Sequence, residues 1–186
     1  VELTGSPWER YATPGGEKHP HTFLGTGLGK PFTHAVMTRT ETEISSGVRN
    51  VLLLKSTASA FKGFPRDEFT TLPETDDRIL STSMDATWTF TDRSAPFTTA
   101  NAVILAALLE TFATEFSPSV QNTLYLMGQA ALAAAPSITK ISLAMPNKHY
   151  LPINLQPFGL PNTNEIFLPT DEPHGQIEAC IGRVSV

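Results

Sequence analysis

Two adjacent helical stretches, enclosed on both sides by strand-patterned sequence, constrain this chain more than any other feature. The first spans about residues 99–116. There Ile104, Leu108, Phe112 and Glu115 share one stripe, with Leu105, Leu109 and Phe116 beside it; this is the spacing of a helix with one buried side. The second starts sharply: Ser117 is the expected cap and Pro118 the first helical residue, with Val120 and Gln121 in the first turn or just beyond it. Val120, Leu124, Met127 and Ala131 then recur at helical spacing until Pro136 ends the run.

The flanks read as strands. Residues 8–12 and 19–24 are short extended runs around Pro14-Gly15-Gly16, a hairpin signal. The opening VELTGSPWER also reads as strand. Residues 33–44 are rich in β-branched side chains, and 51–54 suggest a buried strand. In RILSTSMDATWTFT, residues two apart share a face, so Arg78, Leu80, Met84, Trp88 and Phe90 line up together, opposite Ser81, Ser83, Asp85, Thr87 and Thr89. After the helices come ITKISLAM, HYLPINL, EIFLPT and GQIEACIGRV, read as four further strands. Strands, two helices, then strands predict an α+β fold: an antiparallel sheet with a helix pair on one face. The glycine-rich stretch 25–31 (GTGLGKP) is a linker and a domain boundary; it lacks the Lys-Ser/Thr ending of a phosphate loop. Residues 61–77 form a turn-rich, acidic segment.

Composition narrows the function classes. A length of 186 residues suits one domain, or one domain plus a piece of another. Only 17% of residues are charged while 40% are hydrophobic, against the roughly 25% charge of soluble domains; this predicts a large surface hidden in an assembly. The net charge of −5 argues against a nucleic-acid partner. Cys180 is the single cysteine, so neither a disulfide framework nor a zinc cluster is expected. The longest apolar run, AVILAALL, is too short to span a bilayer. No leader precedes Val1 and GRVSV is not a peroxisomal address, so a cytoplasmic protein is expected, truncated in front.

Several residues are candidates for chemistry. Arg78 opens the apolar face of its strand, where a guanidinium needs an anion. That anion is either one of Glu74, Asp76 and Asp77, or a ligand gripped by the planar fork. The start of the second helix offers free N–H groups with roughly half a positive charge, and Gln121 adds a side-chain amide. In Asn147-Lys148-His149, an extended backbone points Asn147 and His149 the same way, an amide beside a proton-handling imidazole. Phe61 and Phe64 flank Gly63; they either anchor a loop in the core or stack on a ligand. His19 and His21 stand two apart and could share a metal, although no carboxylate or cysteine stands at ligand spacing. His34 and His174 suggest no chemistry from sequence. Cys180, alternating with Ile177, Ala179 and Ile181, reads as a packed strand cysteine.

Three of these segments resemble the urate oxidase (uricase) family: KSTASAFKGFPRDEFTTLPETDDRIL (residues 55–80), SPSVQNTLY (117–125) and MPNKHY (145–150), in that order. The ending FLPTDEPHGQIEACIGR is similar to that family's last strands, and WERYATPGGEKHPHTF to the closing hairpin of its first domain. The resemblance implies the tunnelling fold, repeated ββααββ units joined around a tunnel in a homotetramer. Residues 1–31 would finish the first unit and 32–186 would form the second. A companion N-terminal polypeptide would carry the rest of the first unit and the family's lysine–threonine pair. It also implies roles. Phe61 would stack on the purine, while Arg78 and Gln121 clamp its edge with the Val120 N–H as a further donor. Asn147 would hold dioxygen or water above the ring, and His149 would join the proton relay. The implied reaction oxidises urate with dioxygen to 5-hydroxyisourate and hydrogen peroxide, without cofactor or metal. Two alternatives remain at this point: a non-enzymatic binding or structural remnant of the fold, and a metal-dependent relative using His19 and His21.

Overall fold

The computed structural model describes residues 8–25, 29–91 and 93–183. Residues 1–7 of the expected opening strand and 26–28 of the expected 25–31 linker lie outside the described residues; the rest of that linker is mostly strand, Gly25 closing one and Lys30 and Pro31 opening the next.

The alternation read from sequence becomes one antiparallel sheet. It contains β1 (Trp8–Ala12), β2 (Lys18–Gly25), β3 (Lys30–Met37), β4 (Thr42–Lys55), β5 (Leu80–Phe90), β6 (Ile138–Pro152) and β7 (Phe167–Gly182). The order across it is β1-β2-β4-β5-β6-β7, with β3 also paired to β4. The long strand β4 accounts for this branching. β5 occupies one of its edges, while β3 takes its first half and β2 its last residues on the other. A bulge between Val48 and Val51 bends it; there Asn50 has φ 59° and its N–H donates to Asp85 Oδ1 at 2.7 Å.

The helices α1 (Phe97–Thr114) and α2 (Val120–Ala134) cover one face of the sheet. The even-numbered residues of β5 point into that layer: Leu80, Met84, Trp88 and Phe90 are buried with Leu53, Ile104, Leu108, Phe112, Leu124, Met127 and Ile141. Each large side chain buried this way contributes about 1.5–3 kcal/mol. The indole N–H of Trp88 is satisfied by Asn101 Oδ1 at 2.8 Å, which ties β5 to α1. By length and composition α1 could cross a membrane, but Ile104, Leu108 and Phe112 pack in the core, the disposition of a core helix.

The structure corrects several boundaries. The cap of α2 is Ser119, whose hydroxyl accepts the Asn122 N–H at 3.2 Å, not Ser117. Ser117 is instead buried in a bridge to Ser59, and its hydroxyl accepts that of Thr123 at 2.6 Å. Pro118 therefore precedes the helix. Phe116 lies beyond α1 and is exposed. Arg78 precedes β5 rather than opening it. The four expected C-terminal strands are two long ones, β6 and β7, joined through a short 3-10 turn at Gln156–Phe158. Pro169 and Pro173 fit within β7 because it is an edge strand, where a missing N–H can face outward. Cys180 is exposed, not packed. It pairs with Ser142 on β6, and Ile177 and Ile181 are the β7 residues packed against the core.

Candidate functional site

Residues 56–79 connect the end of β4 to the start of β5, and backbone rungs hold this segment in place. Phe61 and Thr75 form an antiparallel bridge at 2.8 and 2.9 Å. Ala60 N–H donates to the Ser117 carbonyl at 2.8 Å, and Ser117 N–H to Ala58 at 3.0 Å, so the start of α2 is stitched to the same segment. Arg78 N–H donates to Ser59 at 2.8 Å.

These rungs aim Arg78 inward. Its Nε donates to the Ala60 carbonyl at 3.1 Å and its Nη1 to Asn147 Oδ1 at 2.9 Å. Its Cζ lies 5.4 Å from the centre of the Phe61 ring, within cation–π range. Among the described residues no carboxylate pairs with it, so the expected ion pair to Glu74, Asp76 or Asp77 is absent. Each acid is engaged elsewhere. Glu74 accepts the Gly63 N–H at 3.0 Å, Asp76 pairs with Lys62, and Asp77 takes the Thr57 hydroxyl at 2.8 and 2.9 Å. Burial lowers the pKa of Arg78, but a guanidinium stays charged. The result is a half-buried cation held only by neutral oxygens.

Phe61 is placed by the turn at Gly63, whose φ of 70° favours glycine. The turn brings Phe64 back beneath Phe61, with ring centres 4.6 Å apart and planes 28° apart. One aromatic face is thus backed by a second ring, and neither phenylalanine is core.

From the opposite side come Asn147 and His149. The β5–β6 ladder runs from Phe90 to Asp85 and closes at Ser81–Lys148; the interval lies opposite Pro146, which lacks an N–H. The β6–β7 register also shifts between Asn147 and His149. These breaks release the local backbone so that Asn147, 7% exposed, reaches Arg78. His149 has its pKa lowered from 6.5, first by burial, then by the charges of Arg78 and His174. It is therefore neutral near pH 7 and able to accept a proton. His174 itself lies 3.5 Å from Glu172.

Phe61, Arg78 and His149 line one cavity of about 380 Å³, together with Leu72, Glu74, Asp77, Tyr150 and Phe167. Asn147 stands behind it as the acceptor of Arg78. Val120 and Gln121 are not part of that lining: Val120 is buried and Gln121 exposed. As the first two residues of α2, their N–H groups have no intrahelical acceptor.

A second group of titratable residues lies outside the cavity lining, and its buried lysine was not anticipated. Lys55 is fully buried, its ammonium donates to the Glu115 carbonyl at the end of α1, and burial lowers its pKa from 10.5 to about 8. The period-two pattern could have revealed it, since Lys55 shares the face of Val51 and Leu53. His19 and His21 meet edge to face at 4.5 Å, both with pKa lowered, first by burial and then by neighbouring cations. Among the described residues no group of three or more metal-ligand side chains gathers there or elsewhere. Tyr11 donates to Glu110 at 3.0 Å and its pKa is raised to about 12, chiefly by burial.

With this geometry in view, comparison with known proteins is specific. Residues 44–178 match the Uricase family. The chain is 38% identical over 183 residues to the uricase of Arthrobacter globiformis, covering 97% of this chain and 61% of that protein. It is 37% identical over 206 residues to the uricase of Arabidopsis thaliana, covering 100% and 65%. The crystal structure of the Arthrobacter globiformis protein superposes with a TM-score of 0.83 over 96% of this chain and 60% of that one. Urate oxidase from Bacillus sp. TB-90, 20% identical with a TM-score of 0.66, shares the fold. The chain thus spans less than two thirds of the length of these relatives.

Proposed function

The chain belongs to the uricase family, and on that premise we propose that its cavity is the purine-binding part of a urate oxidase site. The observation that carries this reading is Arg78: a charged fork without an acidic partner, over an aromatic ring and beside a neutral imidazole. Urate is a planar anion. It needs an aromatic face, paired donors along one edge and a nearby base, and these are the groups gathered here.

In this reading Phe61 stacks on the purine, and Arg78 and Gln121 clamp its edge with the Val120 N–H as a further donor. Asn147 holds dioxygen or water above the ring, and His149 relays protons. Urate gives up two electrons to dioxygen, which leaves as hydrogen peroxide after taking up two protons, and water adds to the oxidised purine to give 5-hydroxyisourate. The proposal calls for no cofactor, because deprotonated urate is electron-rich enough to reduce dioxygen; the protein positions, removes protons and stabilises charge.

The same proposal divides the chain into residues 1–31, the last strands of a first tunnelling-fold unit, and 32–186, the second. A companion N-terminal segment supplies a lysine–threonine pair, and the assembled protein is a tetramer. Two features support this: β1 pairs only with β2 among the described residues, and Leu72 and Leu151, both lining the cavity, are exposed. The test adds urate to the full-length protein, with any companion chain identified by intact mass and retained, and follows peroxide release. Urate-dependent peroxide that is lost in Arg78→Ala is expected. Urate binding without peroxide would favour a non-enzymatic module, and absence of both would overturn the reading.

A further inference from the structure

Arg78 is flanked by acids and paired with none, and the residue immediately before it explains how. The Asp77 carboxylate makes no ion pair with the guanidinium; it accepts the Thr57 hydroxyl at 2.8 and 2.9 Å and the Ala58 N–H at 3.1 Å. Ala58 sits at φ 61°, a left-handed conformation that an alanine keeps only when its surroundings hold it. From there the chain runs directly into the site: the Ser59 carbonyl accepts the Arg78 N–H, the Ala60 carbonyl accepts Arg78 Nε, and Phe61 bridges to Thr75.

We propose that Asp77 is a positioning residue for ligand binding: by holding Thr57 and Ala58 it sets the Phe61–Arg78 arrangement and keeps its own charge off the arginine. The proposal rests on the urate reading of the cavity. Asp77 acts on the segment that carries the binding groups, whereas Asn147 and His149 come from β6. Losing Asp77 therefore weakens binding and spares the proton-transfer step.

Steady-state kinetics of the full-length protein test this, using Asp77→Ala, the milder Thr57→Val and the conservative Thr57→Ser. Losing a charge-assisted anchor should raise the KM for urate about tenfold in Asp77→Ala and Thr57→Val. The kcat and its pH profile stay as in the parent, and Thr57→Ser restores KM. Amide exchange of the unliganded protein gives an independent readout: the Arg78 and Phe61 amides should lose protection in the first two variants only. Unchanged KM overturns the proposal, as does a matched fall in kcat and thermal stability that Thr57→Ser fails to rescue. Should the parent protein itself not turn over urate, the urate reading falls, and amide exchange alone decides: unchanged protection refutes positioning and lost protection upholds it.

Discussion

Replacing Lys55 by methionine isolates the cost of a buried charge in this fold. Lys55 is 0% exposed, its ammonium donates to the Glu115 carbonyl, and it lies 5.6 Å from the centre of the Phe112 ring. Burial takes its pKa from 10.5 to about 8, with the nearby Glu115 charge opposing the shift. The unfolded chain keeps this proton up to the ordinary value, while the folded chain releases it earlier. Between the two values the unfolded state binds more protons, so stability rises with pH. Below the lower value the penalty is present in full. At about 1.4 kcal/mol per pH unit, a fall from 10.5 to about 8 is worth about 3 kcal/mol.

Opposing this is the hydrogen bond to the last carbonyls of α1, where a cation also favours the helix dipole; such a bond contributes about 1.5–3 kcal/mol. Methionine removes both terms. The lost bond shifts stability by a constant, whereas the lost penalty changes its slope against pH. Tyr11 acts in the other direction: its raised pKa of about 12 means that the stability it lends is lost as pH rises above 10.0, but equally in both proteins. Urea unfolding of parent and Lys55→Met across this alkaline range, taken as a difference, therefore reports Lys55 alone. The parent should gain on the variant by about 3 kcal/mol as the pH rises from the lower value to the upper. Parallel curves would refute the reasoning, because they would mean that the amine is as well solvated in the folded chain as in the unfolded one.

Other consequences can be measured as directly. Arg78→Gln removes a cation beside His149, so the imidazole pKa should move up toward 6.5 in an NMR titration; burial keeps it from arriving there. Gly47→Ala places a Cβ 2.2 Å from the Ala86 carbonyl oxygen and 2.6 Å from the Phe32 ring. The backbone oxygen cannot step aside, and a loss of about 2–3 kcal/mol is expected in the urea midpoint. Ser119→Ala deletes the true cap of α2 and should cost about 1 kcal/mol, which thermal unfolding will register.

The parts of this fold legible in sequence are those governed by repetition. Period two in β5 names its buried face residue by residue, and the helical stripes name Ile104, Leu108, Phe112, Leu124 and Met127. What fails to read out is what neighbours decide. The run Ser117-Pro118-Ser119 offers two caps and a proline suited to either frame; the bridge to Ser59, distant in sequence, takes Ser117 away from the helix. Alternation at Cys180 separates two faces without saying which one a helix covers. The last strands read as four short runs, yet they form two long ones, because an edge strand accommodates Pro169 and Pro173. In the cavity, Phe61, Arg78 and His149 were each singled out from sequence and lie together. Asp77 was visible only as a partner for Arg78, because the Thr57 hydroxyl that claims it lies twenty positions away.

That misreading of Asp77 shows why the net charge of −5 says so little about the ligand. Charge counting treats Glu74, Asp76 and Asp77 as three anions beside one arginine, a surrounding hostile to a further negative group. The structure spends them otherwise: on the Gly63 N–H, on Lys62, and on Thr57 with Ala58. Arg78 is left with a carbonyl and a side-chain amide, neutral acceptors that orient a guanidinium without discharging it. Coulomb interactions strengthen as surroundings lose water, so one unpaired, half-buried cation governs its cavity more than several solvated carboxylates nearby. An acidic chain can therefore build a site for an anion, provided each local acid has a donor of its own. Asp77, next to Arg78 in the chain, is the acid for which that condition is most exacting.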